Sequence, residues 1–366
     1  MKSGKTVKIG FVGVGAISGI YLENITKKFD NIDVIGVCDL IRERAENAVN
    51  RYGIPKLYND MYELFADPEV DIVLNITRPD EHYEVTKAAL EAGKHVYSEK
   101  PLAATLEQGR ELVGIAKKKG LLLGGAPDTY LGAGIQTCRK LLEEGLIGDI
   151  VGAAGWMLCP GHESWHPDPE FYYKRGGGPM FDMGPYYITC LVNLAGNVSA
   201  VSAMTKKTFK TRTITSAPHR GEVIEVDVPT FYAGTMRFES GAIGTIITTF
   251  DVYNSANNNC LEIYGTKGTL YVPDPNMFDG PVRVMLAGEA KKDIDLAFRY
   301  RENSRGLGLA DMAKALSDGS GKFRANCDQT LHVLEIMEGF AVSGNEHREI
   351  EISSRFERTP IMDTGL

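Results

Sequence analysis

Lys8 to Tyr21 reads KIGFVGVGAISGIY. The run Val7 to Val12 is short, apolar and β-rich, the pattern of a buried strand. It stops at Gly13-x-Gly15, and a helical pattern follows from Ile17 to Phe29. Strand, glycine turn and helix in that order suit a pyrophosphate. The glycines allow a tight turn and close backbone approach, and the helix N-terminus offers unpaired N–H groups with partial positive charge. The expected phosphate cradle is Gly13, Gly15, Ala16 and Ile17. The third fingerprint position holds Ser18, with Gly19 one residue late. Asp39 ends the next strand, where a carboxylate accepts hydrogen bonds from the adenosine ribose hydroxyls and repels a 2′-phosphate. NAD is therefore expected over NADP, although Arg42 and Arg44 stand close to Asp39 in the chain and keep NADP open.

The pattern around this stretch agrees. Strands at Asp33 to Cys38, Val70 to Ile76, His95 to Ser98 and Leu121 to Leu123 alternate with helices at Arg42 to Tyr52, Glu81 to Ala92 and Thr105 to Lys119. Such alternation implies parallel βαβ units in a doubly wound α/β sheet. Thr77 falls at the carboxyl edge of that sheet, where open α/β folds bind ligands, and His82 starts the following helix; both are candidate cofactor contacts. For His82, capping or packing is the competing role.

After about Pro127 the pattern changes. One helix is expected from Ile135 to Glu143, then a long irregular loop from Cys159 to Gly178. Period-2 strands fill most of Ser199 to Tyr271, with a hairpin at Ser240-Gly241. Helices near Leu307 to Ser317 and Asp328 to Val342 follow. The expected architecture is a Rossmann dinucleotide-binding domain over residues 1–126 and an α+β substrate and oligomerisation domain over 127–366, with a large, mainly antiparallel sheet. An open sheet face needs covering, and a second copy of the chain is one way, so a homo-oligomer is expected.

The 366 residues carry 40 Lys+Arg against 48 Asp+Glu, a net charge of -8. That balance disfavours nucleic-acid or anionic-membrane partners. The one basic run, KKTFKTR from Lys206 to Arg212, reads as a solvated strand or loop. No apolar run approaches the roughly 18 residues a membrane helix needs, and the N-terminal stretch reads as a first strand rather than a signal peptide. Cysteines at 38, 138, 159, 190, 260 and 327 include no C-x-x-C. They read as reduced thiols of a cytoplasmic protein, with no metal site.

Four stretches together resemble the Gfo/Idh/MocA oxidoreductase family, named for glucose–fructose oxidoreductase and inositol dehydrogenase. They are the glycine turn, Glu99-Lys100-Pro101 in AALEAGKHVYSEKPLA, GGGPMFDMG from Gly176 to Gly184, and LEIYGTKGTL from Leu261 to Leu270. Their order and spacing fit over nearly the whole chain. The resemblance implies that Lys100 reaches the substrate beside the nicotinamide, that Glu99 belongs to the same cofactor-side tripeptide, and that Pro101 follows a cis bond. It also implies an aspartate and a histidine four residues apart in the second motif. Asp182 matches the aspartate, but Tyr186 stands at the histidine position.

Asp182 and Tyr186, at i and i+4, are expected on one helix face. Oxidation of a secondary alcohol releases a hydride and a proton, and the proton needs an acceptor. Tyrosine and lysine have ordinary pKa values of about 10 and 10.4. Set beside each other and beside a cationic nicotinamide, both shift down. One assignment makes Tyr186 the acid/base, Lys100 its electrostatic partner, and Asp182 the group that holds the substrate hydroxyl or orients Lys100. The rival makes Lys100 the base and Tyr186 a donor. Tyr187 is expected on the packing side.

The loop CPGHESWHPDPEFYYKRGGG concentrates His162, Trp165, His166, Phe171, Tyr172 and Tyr173. Flat aromatic faces with polar tips suit the C–H face and hydroxyls of a sugar ring. Trp165 and His166 are candidate substrate contacts, His166 also a candidate acid/base, and Asp128 a candidate ring-hydroxyl ligand. The loop can also serve as a plug between domains. The expected activity is NAD-dependent oxidation of a sugar, glycoside or polyol; the variant motif GGGPMFDMGPYY and the Trp/His loop resemble family members that act on glycosides, some at the glucose C3 hydroxyl, and so imply that narrower substrate. Two other classes stay open: a glycoside-cleaving enzyme that recycles bound NAD, and a non-catalytic NAD-binding regulator.

Overall fold

The computed structural model describes residues 6–257 and 260–363. The chain first forms β1 (Val7–Val12), α1 (Ser18–Lys27), β2 (Ile32–Cys38), α2 (Arg42–Tyr52), β3 (Lys56–Leu57), α3 (Met61–Ala66), β4 (Ile72–Asn75), α4 (His82–Glu91), β5 (His95–Ser98), α5 (Leu106–Lys119) and β6 (Leu123–Gly125). The six strands lie in the order β3-β2-β1-β4-β5-β6, all parallel. Ile9, Phe11, Val37, Ile72, Val73 and Leu74 are wholly buried, as expected of strands covered on both faces. This is the nucleotide-binding strand order, with the reversal between β1 and β4.

Two short elements were not foreseen. β3 has two residues and α3 six, α3 being capped by Asp60, which accepts from the Glu63 N–H. The last strand lies two residues beyond its expected place. It uses Gly124, where a Cβ would meet Phe323 at 2.6 Å and the Ala325 carbonyl at 2.7 Å. A neighbouring stretch packs so closely there that only glycine fits.

From residue 129 the chain forms α6 (Ala133–Glu143), β7 (Ile150–Leu158), α7 (Gly178–Asp182), α8 (Gly184–Ala195), β8 (Val198–Lys206), β9 (Thr211–Thr213), β10 (Val223–Glu225), β11 (Phe231–Phe238), β12 (Ile243–Thr249), β13 (Cys260–Gly265), β14 (Gly268–Val272), β15 (Val282–Leu286) and β16 (Lys292–Ile294). Then come α9 (Leu307–Ser317), α10 (Cys327–Glu346) and β17 (Ile350–Glu351). A nine-stranded sheet runs β16-β15-β14-β13-β7-β12-β11-β8-β17. Its pairs are antiparallel except β7 with β12. The hairpin at Ser240-Gly241 joins β11 to β12, Gly241 having φ +89°. One sheet face packs on α8 and α10: a Cβ at Gly155 would approach Tyr187, and one at Gly234 would meet Phe340. The other face carries the paired row Met204, Ala233, Ile247 and Trp156.

The chain divides into two compact units, Met1–Asp128 with Asn303–Leu331, and Thr129–Glu302 with His332–Leu366. The first differs from the consecutive segment 1–126. Asn303–Leu331 joins it because Asn24 Nδ2 donates to the carbonyls of Asn303 and Arg305, Asn31 Nδ2 donates to that of Ala310, and Gly125 N–H donates to Ala325 O at 3.0 Å. No helix among the described residues is long and apolar enough to cross a membrane.

Candidate functional site

In the first unit the candidate residues follow the carboxyl ends of β1, β2, β4 and β5. Gly13 has φ +91°, and a Cβ there would lie 2.7 Å from Ile76 O, so glycine is required. At Gly15 no described atom comes within 4 Å of where a Cβ would stand. Gly15, Ala16 and Ile17 are exposed. Ile17, which caps α1, makes no side-chain cap bond, and Ser18 Oγ turns back to donate to Gly15 O at 2.7 Å. An open turn before a helix N-terminus without a side-chain cap fits a pyrophosphate. Asp39 accepts from Val14 N–H at 2.5 Å and Ile41 N–H at 2.7 Å, one bond on each oxygen. An ionised carboxylate offers about four acceptor sites, so capacity for a ribose remains. These residues fit a dinucleotide.

Three expected cofactor contacts have structural partners. His82 is buried, with Nδ1 2.7 Å from Pro101 O and Nε2 3.0 Å from Thr77 O. Burial holds its pKa below the ordinary histidine value. A neutral ring has a single N–H, so it donates to one of these two carbonyls while the other nitrogen only faces its neighbour; His82 packs between the end of β4 and the turn after β5, the capping and packing role. Glu99 is buried too: it accepts from Tyr21 Oη at 2.6 Å and from Lys100 N–H at 3.0 Å. It therefore orients the start of the Lys100–Pro101 peptide, which is cis. Thr77 Oγ1 donates to Asn75 Oδ1 at 2.7 Å.

Asn75 was not anticipated. It is wholly buried, accepts from Thr77 N–H and Oγ1, and donates through Nδ2 to His82 O and Thr86 Oγ1. A lone amide at the end of the apolar run DIVLNIT was the available signal.

Asp128 is corrected likewise. It is 1% exposed, and Oδ2 accepts from Gly306 N–H at 2.8 Å and Gly308 N–H at 3.0 Å. Burial raises its pKa to about 6 against these lowering bonds. It caps the start of α9, and a ring-hydroxyl role is not retained.

In the second unit Asp182 and Tyr186 do not share a continuous helix. Asp182 ends α7, Met183 intervenes, and Pro185 lies in the first turn of α8. Proline has no N–H to continue the α7 ladder, so the chain restarts there. Tyr186 is 7% exposed and its N–H donates to Met183 O at 3.1 Å. Tyr187 is wholly buried, on the packing side, and burial drives its phenol pKa far up.

The aromatic loop is ordered against Asp182. His162 Nε2 lies 3.1 Å from Asp182 Oδ2, the two side chains being 11% and 13% exposed. Rings of Tyr172, Phe250 and Trp165 surround the imidazole at 4.2, 4.6 and 5.2 Å between centroids. Trp165 itself is 60% exposed. His166 accepts at Nδ1 from Asp168 N–H at 3.0 Å, and burial lowers its pKa. The loop is seated by Arg212, which reads differently from its basic run. Lys206 to Thr211 are mostly exposed, but Arg212 is buried and donates to Glu163 Oε1 at 2.9 Å, Pro160 O at 3.2 Å, Phe250 O at 2.9 Å and Asp251 Oδ1. Tyr173 Oη donates to Glu163 Oε2. No group of three or more His, Cys, Asp or Glu side chains among the described residues can hold a metal ion.

The six-stranded parallel sheet with its open glycine turn defines a dinucleotide-binding unit of the Rossmann class. Residues 7–125 match the profile described as "Oxidoreductase family, NAD-binding Rossmann fold", and residues 135–271 match the "GFO/IDH/MocA C-terminal domain". The chain belongs to the Gfo/Idh/MocA oxidoreductase family. It is 34% identical over 151 residues to an inositol 2-dehydrogenase/D-chiro-inositol 3-dehydrogenase of Lactiplantibacillus plantarum, covering 40% of this chain and 43% of that one. It is 28% identical over 244 residues to a levoglucosan dehydrogenase of Pseudarthrobacter phenanthrenivorans, covering 62% of each. Both alignments span less than two thirds of the relative's own length. The fold is that of a solved levoglucosan dehydrogenase in complex with NADH, with a TM-score of 0.83, 22% identity, and coverage of 96% of this chain and 100% of that one.

Proposed function

We propose that this protein oxidises a secondary hydroxyl of a sugar, glycoside or polyol. NAD, when bound at the Gly13–Gly15 turn, supplies the hydride acceptor. The observation that carries this reading is the His162–Asp182 contact. It sets the motif carboxylate beside a cluster of aromatic rings that includes the exposed Trp165. Such a ring offers a flat apolar face to a sugar, and the carboxylate accepts from a hydroxyl. Tyr186 or Lys100 takes the hydroxyl proton, and Asp182 holds that hydroxyl. Inositol and levoglucosan, the compounds in the relatives' names, are cyclic polyhydroxylated compounds of this class. A glucoside oxidised at C3 is the narrower reading and rests on the variant motif Gly176 to Tyr187. The test is mass spectrometry of the purified chain for retained NAD or NADH, then mixing with a panel of inositols, levoglucosan, aldoses and glucosides while following nicotinamide absorbance. Substrate-dependent NADH formation supports the reading. Glycoside cleavage without net NADH would replace it by the hydrolytic alternative, and no turnover across the panel would remove it.

Asp39 sets the cofactor preference in this proposal. Losing a charge-assisted hydrogen bond costs about 1.5–3 kcal/mol, or roughly 10- to 100-fold. Asp39→Ala is expected to lower kcat/KM for NAD by that factor and to narrow the gap to NADP. Unchanged kinetics with both cofactors would place the ribose elsewhere.

A further inference from the structure

We propose that His162 is a positioning residue for Asp182, supplying from the aromatic loop the imidazole that the second motif lacks at Tyr186. The role assigned to Asp182 rests on the function proposed above; the contact itself does not. Nε2 of His162 faces Asp182 Oδ2 at 3.1 Å. An ionised carboxylate only accepts, so the ring must carry its hydrogen on Nε2. Both the neutral ring protonated at Nε2 and the imidazolium satisfy this. The neutral ring protonated at Nδ1 would set two lone pairs against each other. Nδ1 is buried and has no hydrogen-bond partner among the described residues, so no bond from them competes for the ring on that side.

Packing then fixes the direction of the donor. Tyr172, Phe250 and Trp165 enclose the ring, and the backbone on either side is held. Gly161, with φ +98°, precedes it, and a Cβ there would meet Tyr173 Oη at 2.4 Å. Glu163 follows, its carbonyl accepting from Thr215 and Ser216 N–H and its carboxylate from Arg212 and Tyr173. An imidazole that cannot swing holds one carboxylate oxygen and thereby sets the plane of the other. Asp182 needs such a hold because it ends a five-residue helix just before the chain breaks at Met183. In the family motif the histidine lies on the same segment as the aspartate; here it arrives from a separate loop, so the seating of the loop and the aim of the carboxylate are one event.

Two substitutions separate donation from mere packing. His162→Phe keeps a ring among rings and removes the donor. His162→Gln returns an amide N–H at similar reach. With the full chain and a sugar shown to be turned over, His162→Phe is expected to lose about 100-fold in kcat with NADH binding unchanged. His162→Gln is expected to regain most of that loss. Full activity in His162→Phe, or equal impairment of both variants when both bind NADH, overturns the proposal. A second measurement needs no turnover: in the 15N-histidine-labelled chain, His162 should show a hydrogen on Nε2 whose resonance is lost or broadened in Asp182→Ala. A bare Nε2 in the native chain overturns the proposal even if His162→Phe does not fold. Should the native chain oxidise no sugar, the functional reading falls while this second measurement still decides the role of His162.

Discussion

Lys100→Met and Tyr186→Phe are each expected to lower kcat/KM for the sugar by roughly 10²- to 10⁴-fold, the range for removing a positioned acid/base group. Both changes are conservative in shape. Methionine keeps the unbranched stem of Lys100 without the amine. Phenylalanine keeps the ring of Tyr186, which is buried at the start of α8, and removes only Oη. Tyr187→Phe is the control: its ring is wholly buried on the packing side, and the rate should be nearly unchanged. Steady-state kinetics across pH separate the two assignments. If Tyr186 is the acid/base, any rise of rate with pH measured for the native chain is expected to be lost in Tyr186→Phe. If Tyr186→Phe keeps the native profile and only Lys100→Met loses it, the amine is the base. If both variants keep native rates, neither group carries the proton and the proposed reaction is wrong.

Arg212→Met is expected to destabilise the second unit by about 3–5 kcal/mol, the usual consequence of breaking a buried ion pair from one side. Arg212 is 5% exposed and lies between Glu163 and Asp251, themselves 14% and 4% exposed. Removing the guanidinium leaves two nearly buried carboxylates facing a thioether, together with two main-chain carbonyls that lose their donor. Thr230 Oγ1, which donates to Asp251 at 2.7 Å, and Tyr173 Oη compensate only in part. The measurement is denaturant unfolding followed by tryptophan fluorescence, since Trp156 and Trp165 both lie in the second unit. Loss of activity at denaturant concentrations where the fold persists would show the aromatic loop leaving first. A variant as stable as the native chain would mean that water reaches the cluster and the triad is not truly buried.

The parts of the molecule governed by local rules were readable from the chain. Gly13 demands a positive φ, the strands around it are continuous apolar runs, and Asp39 directly follows β2 as the nucleotide-binding pattern requires. The cis Lys100–Pro101 bond followed from the family resemblance. What escaped was settled by partners distant in sequence. Asp128 resembles an exposed polar residue after a strand until Gly306 and Gly308, far along the chain, present their N–H groups to it. Arg212 sits in a run of lysines, and nothing local marks it as the residue that turns inward. His162 is one of two histidines in its loop, and no spacing rule ties it to Asp182. The helix break at Met183 was legible in principle from Pro185, but the four-residue spacing of Asp182 and Tyr186 argued for continuity. Local signals decide where strands and turns fall; which polar groups are consumed as scaffolding depends on tertiary neighbours.

The return of residues 303–331 to the first unit bears on how the molecule can be cut. A fragment ending at residue 126 keeps all six parallel strands but strips the outer side of β6. The N–H of Gly125 loses the Ala325 carbonyl, the bridge from Gly124 to Asn326 disappears, and the ring of Phe323 no longer covers Gly124. What remains is an unprotected strand edge of the kind that recruits other chains. A self-sufficient nucleotide-binding piece would need the late segment spliced back on, so the boundary that matters to an engineer is drawn through space and crosses the gene twice.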